Sequence, residues 1–226
     1  MTLEKALDAI KQGKMILLFD DDNREGETDF VMPALDVTPA DIVRMRKDGG
    51  GLICVAIQSE AAEKLGLPFI SDILRSVSLD GHRSLQTVVE KTGDISYDSR
   101  SSFSLWVNHR ETFTGIPDND RTLTINKIGE IVRDVLDGKK IDFGSEFRSP
   151  GHVALLRAAS GLLDERRGQT ELSIQLALMA GINPSMVVCE MLDENTGKAL
   201  SKEDAIKYSK SYNIPFLEGK NIIEAV

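Results

Sequence analysis

Basic side chains are in short supply in this chain, and so are histidine, cysteine and aromatic residues. Asp and Glu outnumber Lys and Arg by 36 to 27, a formal charge of −9, which disfavours nonspecific binding to nucleic acid or to an anionic membrane. An anionic small substrate would need a local arginine patch or a metal to overcome that field. Cys54 and Cys189 are the only cysteines and share no CxxC spacing. That excludes a cysteine-built zinc site and a disulfide scaffold, and points to a reducing compartment. No apolar run approaches the ~20 residues needed to span a membrane. The first ten residues, Met1 to Ile10, read as a charged amphipathic helix and not as a signal peptide. A soluble, cytoplasmic protein is the expectation.

What is present is patterned. Leu3, Ala6, Leu7 and Ile10 fall at helical spacing, with Gly13 where a C-terminal cap belongs. Met15 to Phe19 and Leu52 to Ile57 are short continuous apolar runs, as in strands buried on both faces. Thr38-Pro39 starts a helix that stops at Gly49, Gly50 and Gly51, and Ser59 caps a brief one ending at Gly66. Residues 71 to 101 are polar and weakly patterned, and read as a long excursion. Phe103 to Val107, Val153 to Leu156 and Ser185 to Cys189 read as strands. Ile125, Ile128, Ile131, Val132, Val135 and Leu136 mark the clearest amphipathic helix, closed by Gly138. Another helix begins near Thr170 and closes at Gly181, and Ser201 with Asp204 resembles a capping box for a late one. With no repeat, low-complexity tract or linker, the prediction is one mixed α and β domain over residues 1–226, its strands covered by helices.

Three polar clusters adjoin these elements. The stretch Asp20 to Asp29 packs six carboxylates and Arg24 into ten residues directly after an apolar run. Like charges at this density serve solvation, a hard cation, or proton chemistry needing several carboxylates; a solvated acidic loop is the plainer alternative. The second cluster, Phe147-Arg148-Ser149-Pro150-Gly151-His152, enters a strand. His152 is one of three histidines, with His82 and His109, and a turn at Pro-Gly would fix its ring; a structural histidine is the alternative. In the third, Glu165-Arg166-Arg167-Gly168-Gln169-Thr170-Glu171, guanidinium forks, a glycine and a helix N-terminus make a good anion site, unless the arginines are plain surface charges. Glu190 ends an apolar strand, where it is either an edge residue facing solvent or a desolvated proton carrier. A phosphate grip, a carboxylate-bound cation and proton-moving groups suit enolisation of a sugar phosphate.

These clusters carry a resemblance. Leu18 to Asp29 resembles the signature loop of the 3,4-dihydroxy-2-butanone 4-phosphate synthases of riboflavin biosynthesis. The match continues, in the family's order, through residues 46–54, 112–121, 147–153, 166–171 and 189–191. Gly26, Thr28 and the excursion after residue 70 resemble the archaeal branch. The resemblance implies an α/β, three-layer sandwich with a mixed sheet, and a homodimer with active sites at the subunit interface. It implies conversion of D-ribulose 5-phosphate to 3,4-dihydroxy-2-butanone 4-phosphate and formate with Mg²⁺ or Mn²⁺. By position, Glu25 matches a metal ligand. Arg24, Glu25, Asp29, the run Arg166-Arg167-Gly168-Gln169-Thr170, and Glu190 match substrate contacts. His152 and Glu190 match the residues regarded as essential for proton transfer.

One position departs from the pattern. The family's Gly-His-Thr-Glu reads Gly168-Gln169-Thr170-Glu171 here, so a metal-ligating histidine is replaced. Gln169 offers a carbonyl oxygen, which suits Mg²⁺, but no imidazole nitrogen. The alternative is a sugar-phosphate-binding relative with impaired catalysis. A nucleotide- or RNA-binding relative such as a threonylcarbamoyl-adenylate synthase is argued against by the acidic balance and the absence of a basic run. A fused GTP cyclohydrolase II activity is set aside, since it needs a cysteine zinc site and more chain.

Overall fold

The structure, a computed structural model, describes residues 2–77 and 83–226; His82 lies outside the described residues. Helices, in chain order, are α1 (Leu3–Lys11), α2 (Pro39–Asp48), α3 (Ser59–Lys64), α4 (Ile70–Ser76), α5 (Arg83–Val88), α6 (Asp118–Leu136), α7 (Phe143–Glu146), α8 (Gln169–Ala180), α9 (Lys202–Tyr212) and α10 (Gly219–Ile223). Strands are β1 (Ile16–Phe19), β2 (Thr28–Pro33), β3 (Cys54–Ile57), β4 (Phe103–His109), β5 (Phe147–Arg157), β6 (Ser185–Glu190) and β7 (Phe216–Glu218). They form one mixed sheet in the order β4-β5-β3-β6-β2-β1-β7.

Side chains alternate across this sheet, so each strand feeds two cores. Leu17, Phe30, Val55, Leu155 and Val187 face one side, where α2, α6 and α9 supply Ile42, Ile128 and Ala205. Leu18, Val31, Cys54, Leu156 and Val188 face the other, against α1 and α8 with Ile10, Leu172 and Leu176. Helix, sheet and helix make the three layers the sequence implies. Because β1, β3 and β6 are buried on both faces, they read as unbroken apolar runs and not as alternating ones.

Several boundaries move. Helix α2 opens with the capping box at Thr38 and Asp41, and Ser201 caps α9 through the N–H of Asp204. Ser59 is no cap: it lies inside α3 and its hydroxyl meets Ser160 at 2.9 Å. Half of the acidic stretch's end is strand, since Thr28 and Asp29 belong to β2. Part of the excursion is helical, as α4 and α5. β5 is longer than its apolar stretch because Phe147 and Arg148 also pair with His109 and Asn108, beyond a register shift.

Candidate active site

The β1–β2 turn folds around a buried acid. Asp20, 2% exposed, accepts the N–H groups of Glu25 at 3.1 Å and Glu27 at 3.0 Å. Gly26 takes a left-handed φ of 68°, which glycine adopts without strain. Asp21 accepts the N–H of Asn23 at 2.8 Å. The six acids therefore divide by role: Asp20 and Asp21 build the turn, Asp22 faces solvent, Glu25 and Asp29 line a cavity, and Glu27 is half-buried beside it.

Asp29 stands directly across from Glu190 in the β2–β6 ladder, a like-charge pairing that opposes ionisation of both. Burial, with Glu190, Glu25, Glu27 and Asp20 adding to it, pushes Asp29 well above the carboxylate range. Burial also raises Glu190, backbone hydrogen bonding partly opposing and the charge of Glu25 assisting. Glu27 is pushed up to about 7 by burial and by Glu25, Glu190 and Asp20. One Asp29 oxygen, Oδ1, is buried without a hydrogen-bond partner.

The third cluster arrives at the start of α8. Buried Gly168 is its N-cap, with no side chain capping the first N–H groups, so those groups are free for an anion. A Cβ at Gly168 would lie 2.4 Å from Nη1 of Arg166 and 2.7 Å from Nη2 of Arg24. Only glycine lets both guanidinium groups close in. Nη1 of Arg166 donates to Glu171 at 2.6 Å, and Glu171 also accepts the Ala159 N–H at 2.9 Å.

Gln169 is 93% buried, its side-chain nitrogen donating to the carbonyls of Leu18 at 2.9 Å and Glu27 at 3.3 Å. Two acceptors on one side fix the amide's direction. Its Oε1 is buried and unpartnered. The arrangement fits a hard cation: carboxylate oxygens of Glu25 and a preset amide oxygen of Gln169 line the same space, with room for water ligands. Among the described residues no three His, Cys, Asp or Glu side chains form a cluster that could hold an ion, so Gln169 and water would have to complete the set.

Glu25, Asp29, Arg166, Gln169, Thr170 and Glu190 all line one cavity of about 140 Å³. Residues 25 and 166, far apart in sequence, do converge. Arg24 stands at its edge, its guanidinium over the Tyr97 ring at 5.2 Å. Two expected residues are elsewhere in this chain. Arg167 is exposed and spends its Nε–H on the Leu163 carbonyl at 3.2 Å. His152 is exposed and absent from the cavity wall; its Nδ1 meets the Asn108 side chain at 3.1 Å. His109 is a core residue, packed edge-on against Phe147 and beside Glu146 at 3.3 Å.

Sequence reasoning missed the wall opposite the acids. Tyr97, Asp98 and Arg100 come from the polar stretch between α5 and β4 and close the cavity. A motif-free loop gives no periodic signal for them, although Tyr97-Asp98-Ser99-Arg100 is its densest aromatic and charged run.

Fold and site together define an α/β enzyme with a carboxylate cavity beside a two-arginine anion grip. Comparison with known proteins sharpens this. The family model for 3,4-dihydroxy-2-butanone 4-phosphate synthase matches residues 4–225, and the chain belongs to that family of riboflavin biosynthesis. The 3,4-dihydroxy-2-butanone 4-phosphate synthase of Methanosarcina mazei is 60% identical over 99% of this chain and 90% of its own. That of Archaeoglobus fulgidus is 58% identical over 99% and 93%. A crystal structure of the Candida albicans synthase superposes with TM-score 0.76 at 28% identity, covering 100% of this chain and 97% of that one. A synthase solved with two magnesium ions shares the fold at TM-score 0.79 and 24% identity, covering 100% and 96%.

Proposed function

We propose that the chain, acting over residues 1–226 as one synthase domain, is a lyase that converts D-ribulose 5-phosphate to 3,4-dihydroxy-2-butanone 4-phosphate and formate. The observation that carries this reading is the convergence of the acidic turn, the α8 N-terminus and the end of β6 on one cavity. Substrate and products balance in every element, the four-carbon ester plus formic acid being together isomeric with the pentulose phosphate, so no external oxidant or reductant is required.

Arg24 and Arg166 bind the ester phosphate, with the Thr170 hydroxyl and the first N–H groups of α8 beside them. Glu25 and Gln169 hold the divalent cation, Mg²⁺ or Mn²⁺; the magnesium ions of the structural relative support a metal of this kind. Such a cation, when bound, polarises the substrate carbonyl and stabilises the negative charge that enolisation places on its oxygen. Glu190 carries the proton. Burial raises its pKa above the ordinary carboxylate value, which strengthens it as a base toward a carbon-bound proton. Asp29 opposite it keeps the pair from ionising together and contacts the substrate.

His152 supplies the second proton-moving group, and its place favours a second copy. The β5, β3 and β6 register pairs Cys54 with both Ala154 and Val188; continued two residues past Cys54, it would set His152 level with Glu190, two strands away. That is roughly 10 Å between backbones at ordinary strand spacing, and Asn108 holds the His152 ring on the β4 side, away from the cavity. Around His152 the surface is apolar and open: Leu52 is 47%, Ile116 50% and Phe113 93% exposed. A homodimer that buries this surface brings His152 of one copy to the cavity of the other. Two buried free cysteines and the acidic balance agree with work in the cytoplasm, and no described helix is long and apolar enough to cross a membrane.

The reading of a chain that binds without catalysis finds no support in relatives of 58–60% identity that carry the synthase name. A formate assay with D-ribulose 5-phosphate is the direct test. Turnover should need a divalent ion, vanish with chelator and return with Mg²⁺; binding without formate release would restore the rival.

A further inference from the structure

Asp98 belongs to the turn-rich stretch between α5 and β4, with no strand partner, yet its side chain is only 7% exposed. Its carboxylate accepts Nη2–H of Arg24 at 2.5 Å and ion-pairs with the Nε edge of Arg166. Each arginine also has an acid of the cavity's framework beside it. Arg24 has Nη1 at 3.2 Å from Glu25 and 3.5 Å from Asp20. Arg166 keeps Nη1 on Glu171, a fully buried carboxylate. Nη1 of Arg166 and Nη2 of Arg24 converge beside Gly168 and the uncapped start of α8, and Asp98 touches both guanidinium groups.

A carboxylate on two guanidinium edges is the smallest copy of a bound phosphate. We propose that Asp98 is a built-in surrogate for the substrate's phosphate, occupying the two-arginine grip in the ligand-free chain and leaving when a phosphate ester arrives. This deepens the preceding reading and rests on it, since it takes Arg24 and Arg166 as the phosphate grip. The exchange selects the ligand. A phosphate brings a charge of about −1.5 to −2 and three acceptor oxygens, enough to use both arginines and the helix N-terminus together. A neutral sugar brings nothing to displace the acid, and a monocarboxylate only matches it. The stretch is tethered on its C-terminal side: the Ser101 N–H donates to Glu90 at 3.0 Å, and the Arg100 guanidinium lies 3.8 Å from the Phe69 ring centroid and 3.0 Å from Asp72. Asp98 and Tyr97 can swing away while residues 100–102 stay.

Calorimetric titration with inorganic phosphate, on metal-free protein, reads the exchange. Asp98→Asn keeps the size and removes the competing charge, so phosphate should bind about tenfold more tightly than to wild type. The KM for D-ribulose 5-phosphate should fall with no gain in kcat. Asp98→Ser, checked by circular dichroism for a native fold, should act in the same direction. Were Asp98 instead a brace that holds the arginines in place, both variants would bind phosphate equally or more weakly, and the surrogate role would be lost. Arg166→Gln separates the two levels of the argument. It must lose phosphate binding; if it binds like wild type, the arginine grip itself is wrong, whatever the Asp98 variants do.

Discussion

Gln169 cannot turn. Its nitrogen is spent on the carbonyls of Leu18 and Glu27, so the unpartnered atom is the oxygen, and that is what an ion would meet. Oxygen donors suit Mg²⁺, whereas imidazole suits the later transition metals. Gln169→His should therefore raise Mn²⁺ affinity relative to Mg²⁺ by about tenfold, in the range seen for changes around metal sites; free Mn²⁺ followed by electron paramagnetic resonance measures it without turnover. If the histidine variant gains neither Mn²⁺ affinity nor rate, position 169 is not at the metal. The acids around it make a second prediction at this scale. Asp29, Glu190 and Glu27 all have folded pKa values raised by burial and mutual repulsion. The folded chain then binds protons more tightly than the unfolded one. Their contribution to stability is complete below the ordinary carboxylate pKa and is lost as pH climbs through about 7 for Glu27. Melting of chelator-treated protein should fall between about pH 5 and about pH 8. Added Mg²⁺ should recover more at the upper end, because protons and cation compete for the same oxygens. The lowered acids elsewhere, such as Asp118 and Glu218, lose their contribution only at lower pH and leave this window clear. A flat melting profile would show that the cluster ionises freely.

Among the elements, legibility follows the kind of burial. α1, α2, α6, α8 and α9 announce themselves because each covers the sheet with one face and stops at a recognisable cap. β1, β3 and β6 do so as unbroken apolar runs. β2 stays hidden because its first half carries Thr28 and Asp29, which read as the tail of an acidic loop; their burial becomes intelligible only once Glu190 is placed across the ladder. β7 is three residues long and pairs only with β1, too little for a period to register. The site divides the same way. Glu25, Asp29, Arg166, Gln169, Thr170 and Glu190 stand in dense local clusters, whereas Asp98 owes its place to three segments meeting in space. Gly151 shows how tightly β5 supports its neighbour His152. A Cβ there would lie 1.9 Å from the Val107 carbonyl carbon and 2.3 Å from the Asn108 nitrogen, backbone atoms that cannot step aside. Gly151→Ala should cost about 2–4 kcal/mol, lowering the melting temperature by about 5–15 °C. Asn108, which meets the His152 ring and also donates to Thr114 at 3.2 Å, moves with that backbone, so activity should fall further than stability alone explains. A variant with wild-type melting would mean that the two strands can slide apart there.

For the molecule as a whole, the exposed position of His152, outside the cavity wall of its own chain, sets the last test. Within one chain, β3 lies between the strands of His152 and Glu190, and Asn108 draws the imidazole toward β4. Apolar Leu52, Phe113 and Ile116 stand exposed, and a paired copy would bury them. Complementation converts this into arithmetic. Glu190→Gln should bind D-ribulose 5-phosphate nearly as well as wild type yet release no formate, and His152→Ala should be similarly inactive. Mixed and re-equilibrated, half of the pairs are hybrids if exchange is random. Each hybrid holds one cavity with an intact Glu190 facing an intact His152 and one cavity that lacks both. The mixture should therefore recover about a quarter of wild-type turnover, with sedimentation confirming a dimer throughout. If His152 serves its own chain's cavity, every site in the mixture lacks one group or the other, and activity stays at the level of the single variants.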